Sequence, residues 1–425
     1  MKWFFSCSLL VLLFSCSESP TSNKWADYQA DLQYLKDSLA GKHPNLYFHL
    51  DKASFHEQID QISSEANLAK SDSNQILMQL REAIAKLGDP HTNFGFYDYI
   101  EEAGFYPIEI FWFDDGIWIT GADEAYQAVI GKKITAINGI PMKAIIEKVS
   151  NIVPKNAPYF VHKRLHYFMP KHAILSYYGI TNGDAAEFTL ETANGEKETM
   201  TIQVAQGEYS VDNFIHLDNP PFYWQSVLTD NEQLFRLHYF EADSILFLQY
   251  NSCWGRELEE RFGDPEDAKS LPAFADFRDT IFELIENQPI QKLIFDLRFN
   301  GGGSSPQGTE LIKEISQIED LNQKGKLFVA ISQHTFSSAV INAMNFRQLT
   351  EAILLGHPSG GSPNHYGETR TLVLPKTKME VYHSTNYFKY VDEDLDAVIP
   401  DIPIETNFKT ILEGKDPVYE YVKDY

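Results

Sequence analysis

Only three cysteines occur in 425 residues, and two of them, Cys7 and Cys16, lie in the first sixteen. Cys253 is left alone in the body of the chain, so no internal disulfide can form there. An oxidising compartment is permitted but not exploited. Cys253 reads as a packed residue at a strand end. Positive charge is also scarce: 35 Lys and Arg against 60 Asp and Glu give a formal charge of −25. That argues against a nucleic-acid partner, which needs a basic footprint, and suits the solubility of a surface-tethered protein. After the apolar run that begins at Trp3 there is no second long one, so nothing else is expected to span a bilayer. Several catalytic signatures are missing too. No Gly-Lys-Ser/Thr follows the glycines at Gly301 to Gly303, against a phosphate loop. No Gly-x-Ser-x-Gly elbow and no Ser-x-x-Lys occurs, against an α/β-hydrolase and a β-lactamase fold. No metal is expected. His56-Glu57 lacks the second histidine of a zinc helix, and Ala397 and Pro403 stand where a calcium loop opening at Asp392, Asp394 and Asp396 needs glycine and glutamate.

What is present begins with an export signal. Met1-Lys2, the apolar run to Phe14 and a small residue before Cys16 form a leader too short to cross a membrane. Leu13-Phe14-Ser15-Cys16 resembles a bacterial lipobox, which implies acylation of Cys16, a signal over 1–16 and a polar tether from Ser17 to Ser22. The expected location is the bacterial cell envelope, periplasmic or surface, held to the membrane by the lipid. About 400 residues follow, enough for two or three domains. With 43% hydrophobic and 13% aromatic residues they can bury a substantial core.

Residues 17–104 read as a helical region. Trp25, Tyr28, Leu32, Leu35 and Leu39 recur at helical steps, as do Phe55, Ile59 and Ile62, and then Ile76, Leu77, Leu80, Ile84 and Leu87. From Phe105 the period changes to that of strands. Ile108 to Phe113, the Asp114-Asp115-Gly116 turn and Ile117 to Ile119 predict a hairpin. Ile130 to Met142, with Asn138-Gly139 at a turn, resembles the corresponding segment of PDZ domains, although no carboxylate-gripping Gly-Leu-Gly-Phe loop is seen. Residues 105–205 are therefore expected to form a PDZ-like insert, and 206–243 a linker or lid. From Ile245 strands and helices alternate, which predicts a largely parallel sheet covered by helices.

Two apolar runs in that region, Leu293–Leu297 and Leu327–Ile331, end in chemistry-bearing turns. The first leads into Arg298-Phe-Asn-Gly-Gly-Gly303, whose glycines can bring bare N–H groups against a ligand. The second leads into Thr335-Phe-Ser-Ser-Ala339, which would expose the Ser337 hydroxyl at a helix start. A nucleophile beside backbone donors suits acyl transfer.

The Asp296-to-Gly303 segment, the Ser-Ser-Ala turn, Gly356-His-Pro-Ser-Gly-Gly361 and Ile399-Pro-Asp-Ile-Pro-Ile404 together resemble peptidase family S41, the tail-specific (C-terminal processing) and tricorn-core proteases. The resemblance implies an α/β fold with a crotonase-like (ClpP/crotonase) core over 206–425. It further implies a serine-type peptidase acting on peptide or protein substrates without a cofactor. Ser337 would be the nucleophile, with Gly301 or Gly302 and Ser338 forming the oxyanion hole. Many members use a downstream lysine as base, but no lysine occurs between Lys326 and Lys376. The histidine-using branch implies His91 instead, with Asp394 as supporting acid, Glu393 and Glu368 as alternatives, and His365 as a rival base. Val340 and His357 replace frequent glutamates of the family, which keeps open a catalytically inactive, ligand-binding lipoprotein.

Overall fold

The computed structural model describes residues 24–68, 73–207, 209–218, 220, 224 and 233–425. The leader, Cys16 and its tether lie outside them, as does part of the expected linker or lid. Three helices, α1 (Lys24–Ser38), α2 (Lys52–Leu68) and α3 (Ser73–Ala85), open the chain. Leu35, Phe55, Ile59, Leu80 and Ile84 are fully buried among them, each contributing roughly 1.5–3 kcal/mol of hydrophobic burial. Gly88 ends this region with φ +91°, where a Cβ would press on His49. Strand β1 (Asn93–Gly95) follows.

A seven-stranded sheet comes next. Its long members are β2 (Ile108–Phe113), β3 (Gly116–Ala122), β4 (Lys133–Ile137), β5 (Ala185–Glu191) and β6 (Lys197–Gln203). Asn138 and Gly139 take φ +47° and +73°, the left-handed pair a tight hairpin turn requires. Between β4 and β5 run α4 (Met142–Val149) and α5 (Pro158–Phe168). The sequence pattern signals α4 and leaves α5 undetected, because its apolar residues are interleaved with His162, Lys163, Arg164 and His166.

The second sheet has six strands. Edge strand β7 (Phe235–Phe240) runs antiparallel to β8 (Ile245–Tyr250). β9 (Lys292–Asp296), β10 (Leu327–Ile331), β11 (Ile353–Gly356) and Ile402–Pro403 then continue in parallel. Helices α6 (Phe274–Asn287), α7 (Ser305–Ser316) and α8 (Ser338–Leu349) alternate with these strands. Strand alternation divides the core in two. Leu246, Leu248, Leu293, Phe295, Leu327 and Val329 meet Phe277, Ile281, Leu311, Ile315 and Ala343 on one face. Ile245, Phe247, Ile294, Phe328 and Ala330 meet Phe111, Phe113 and Trp118 of the first sheet and the C-terminal Val418 and Val422 on the other. With both faces covered, the strands are apolar at nearly every position.

A third, small sheet decides the position of the site. β12 (His365–Val373) and β13 (Glu380–Phe388) form a long hairpin, and β1 pairs antiparallel with β13, Asn93 opposite Tyr382. This brings the end of the helical region against the C-terminal part of the chain. Among the described residues, no helix is long and apolar enough to cross a membrane.

Candidate active site

The loops after β9 and β10 leave the same edge of the parallel sheet, since these strands are neighbours in register from Leu293 and Leu327 onward. Three hydrogen bonds fasten them together. Thr335 Oγ1 donates to Leu297 O at 2.8 Å, the Phe336 N–H donates to Asn300 O at 3.0 Å, and the Ser332 hydroxyl donates to Arg298 O. Arg298 is itself held by Asp296 and Asp416, each at 2.8 Å. The turn between β10 and α8 is thus fixed before Ser337 is reached.

Ser337 carries φ +53° and ψ −122°, a strained conformation for a residue with a side chain. It stands at the start of α8, where the Ser338 N–H has no acceptor within the helix. Gly302, with φ +109°, lies so close that a Cβ there would sit 2.7 Å from that of Ser337. Only glycine fits. The Gly302 N–H, however, donates to Asn300 Oδ1 at 2.9 Å, so of the amides expected to face an oxyanion those of Gly301 and Ser338 remain.

His91 reaches the same point from the other end of the chain. Its Nε2 lies 2.9 Å from Ser337 Oγ, across a sequence separation of 246 residues. The ring stacks on Phe336 at 4.5 Å between centroids and on His365 at 5.7 Å. Burial lowers the His91 pKa to about 4; Asp89 works against that fall, while His365 and Lys163 add to it. The imidazole is therefore neutral at ordinary pH and able to accept a proton. Its Nδ1 is buried without a hydrogen-bond partner and faces Asp89 Oδ1 at 3.8 Å.

Asp89 is the carboxylate that the structure sets beside His91, where the sequence reading expected Asp394. Asp89 is buried and fixed: its Oδ2 accepts from Ser384 Oγ at 2.6 Å, Thr92 Oγ1 at 2.6 Å and His43 Nε2 at 3.1 Å. The Asn45 N–H donates to His43 Nδ1, which leaves the His43 proton on Nε2. Burial opposes ionisation of Asp89, but the His43 hydrogen bond, the nearby His91, and the Ser384 and Thr92 donors outweigh it and lower its pKa. Asp394 and Glu393 sit in an exposed loop where several neighbouring carboxylates stay in water, and Glu368 is exposed on β12. Asp394 lines a cavity that also reaches Asp89 and His365, without a hydrogen bond to His91. His365 packs on His91, its Nδ1–H donating to Ser362 O at 2.9 Å.

The two departures from the family pattern are accounted for by packing. Val340 is fully buried against Gly361, and His357 Nε2 pairs with Asp114 at 2.8 Å, joining the two large sheets. Cys253 is buried beside Asn300, and burial raises its thiol to about 12, which makes it a core residue. Among the described residues no cluster of His, Cys, Asp and Glu could hold a metal ion.

Residues missed by sequence reasoning include Asp89, Asn300, Phe336 and Lys163. Asp89 stands two residues before His91, so the Asp-Pro-His segment is the available signal. Nothing in the sequence marks Lys163.

Residues 269–404 match the family model described as Peptidase family S41. The fold is similar to that of mature CPAF: TM-score 0.61 at 12% identity, with 94% of this chain and 96% of that one covered. Mature CPAF complexed with lactacystin gives TM-score 0.61 at 12% identity over 94% and 97% of the two chains. The photosystem II D1 C-terminal processing protease also aligns, at TM-score 0.42 and 13% identity over 93% and 98%. No curated protein sequence matches the chain.

Proposed function

We propose that this chain, whose residues 269–404 match peptidase family S41 and whose fold supports that assignment, is an exported serine peptidase using Ser337 as nucleophile. The observation that carries the reading is the 2.9 Å contact between His91 Nε2 and a serine in a strained turn. Ser337 Oγ attacks a peptide carbonyl carbon while its proton passes to His91 Nε2, and the carbonyl π pair moves onto oxygen. The amides of Gly301 and Ser338 receive that oxyanion. Collapse breaks the C–N bond, the leaving amine takes the proton from His91, and water releases the acyl group by the same sequence of steps. Asp89 orients the charge on His91 through space. Aromatic stacking holds the ring.

The finer reading is a carboxyl-terminal-processing type endopeptidase of the cell envelope, anchored through acylated Cys16. The six-stranded sheet and its helices serve as a crotonase-like core, and 105–205 as a PDZ-like module. A second reading, a non-catalytic binding lipoprotein, draws on the engaged Gly302 amide and on Val340 and His357.

A fluorophosphonate probe with mass spectrometry separates the two. Labelling at Ser337, together with peptide hydrolysis that falls at least about 10³-fold in Ser337→Ala, is expected of the peptidase. A folded protein that neither labels nor hydrolyses is the binding protein.

A further inference from the structure

Helix α5 runs along the edge of the active site, where its Lys163 sets an ammonium against the glycine loop. Phe160 of the same helix packs tilted against Phe336 at 4.6 Å, and His162 stacks on Trp112 at 3.6 Å, so the helix is fixed to both the nucleophile turn and the first sheet. Lys163 Nζ lies 4.7 Å from the centroid of the Phe336 ring, the same ring on which His91 stacks. It also stands 3.5 Å from Gly301 O, and a Cβ on Gly301 would approach it to 3.0 Å. The ammonium therefore hovers over the glycine loop, beside the residue that precedes the nucleophile.

Among the described residues no carboxylate pairs with Lys163. The charged and titratable groups around it are Arg164 on its own helix, His91 from the helical region, His166 of α5, and His334 from the turn before Ser337. All are cationic or basic. This half-buried cation has only a long, weak acceptor in Gly301 O, so two of its three donors stay available. The loop it covers is also the loop whose Gly302 amide is already committed to Asn300.

We infer that Lys163 is a further catalytic residue, its ammonium supplementing the Gly301 and Ser338 amides in stabilising the oxyanion formed when Ser337 attacks. The inference rests on the serine-peptidase reading. In the attack step the negative charge appears on the former carbonyl oxygen above the glycine loop, and a cation held beside that loop lowers its energy more than that of the neutral substrate. The proton stays on Lys163 throughout, while His91 alone carries the serine proton. Burial, with Arg164 adding to it, lowers the Lys163 pKa to about 7. The protonated, useful form is therefore lost as pH rises through that value.

The test uses the full-length protein and the best-cleaved member of a quenched-peptide mixture. Lys163→Met is expected to lower kcat about 100-fold with KM changed by less than about threefold, the pattern of a group acting in the transition state. Lys163→Arg keeps the charge and is expected to retain most of kcat, with the alkaline limb near pH 7 of the wild type abolished. This second variant carries the test if Lys163→Met does not fold. Wild-type kcat in Lys163→Met, a loss confined to KM, an unmoved alkaline limb in Lys163→Arg, or a wild-type rate that rises through pH 7 would each overturn the inference. Failure of the underlying reading looks different: wild-type protein that neither hydrolyses the peptides nor labels at Ser337 removes both.

Discussion

At the residue scale the site depends on a histidine kept neutral by its surroundings. His91 lies between two rings, with a buried Nδ1 and a carboxylate 3.8 Å away that is too distant to hydrogen-bond. Burial dominates, so its pKa falls from 6.5 to about 4. Protonation below that value removes the base. The acid limb of kcat/KM is expected near pH 4, and a limb near 6.5 in a pH–rate profile would contradict the environment described. His91 and Ser337 were legible in the sequence because each sits in a short motif with its own local geometry. Lys163 was not legible. It lies on a helix whose polar residues blur the apolar stripe, and its role comes only from what that helix touches.

At the scale of elements, strand β1 matters more than its three residues suggest. Pairing with β13 places Asp89 under Ser384 Oγ, and so carries His91 to the nucleophile. Asp89→Asn should cost about 1–3 kcal/mol of stability by spoiling buried hydrogen bonds. Because Asp89 raises the His91 pKa, its neutralisation should also move the acid limb lower still. Thermal melts and a pH–rate profile of this variant read both effects; a limb displaced upward would show that Asp89 does not act on His91. Spacing to a motif points to Asp394 but is silent on burial. The Asp392 to Asp396 loop remains in solvent, whereas Asp89 is enclosed by Thr92 of its own turn and by His43 and Ser384 from distant segments.

For the whole molecule, the seam between the two large sheets gathers histidines that folding holds neutral. Burial lowers His162 and His166 to about 4 and His334 well below its ordinary range; His91 and His365 shift the same way. Unfolding returns each to about 6.5, so between roughly pH 6.5 and 4 the unfolded chain binds more protons than the folded one. Stability conferred by these groups is complete above that window and is lost as pH falls through it. Melting temperature should therefore decline steadily below about pH 6.5, and calorimetry showing a flat profile down to pH 4.5 would oppose this. The alternation of strands and helices after Ile245, the glycine loop and the serine turn were fixed by the sequence alone, because each is a local pattern of apolar period, glycine and capping residue. How the Asp89–His91 turn and Lys163 come to the Ser337 and glycine loops was decided only by tertiary structure. The longest of those contacts, His91 to Ser337, spans 246 residues, and they are made through a three-residue strand and one short helix that leave no clear periodic trace in the chain.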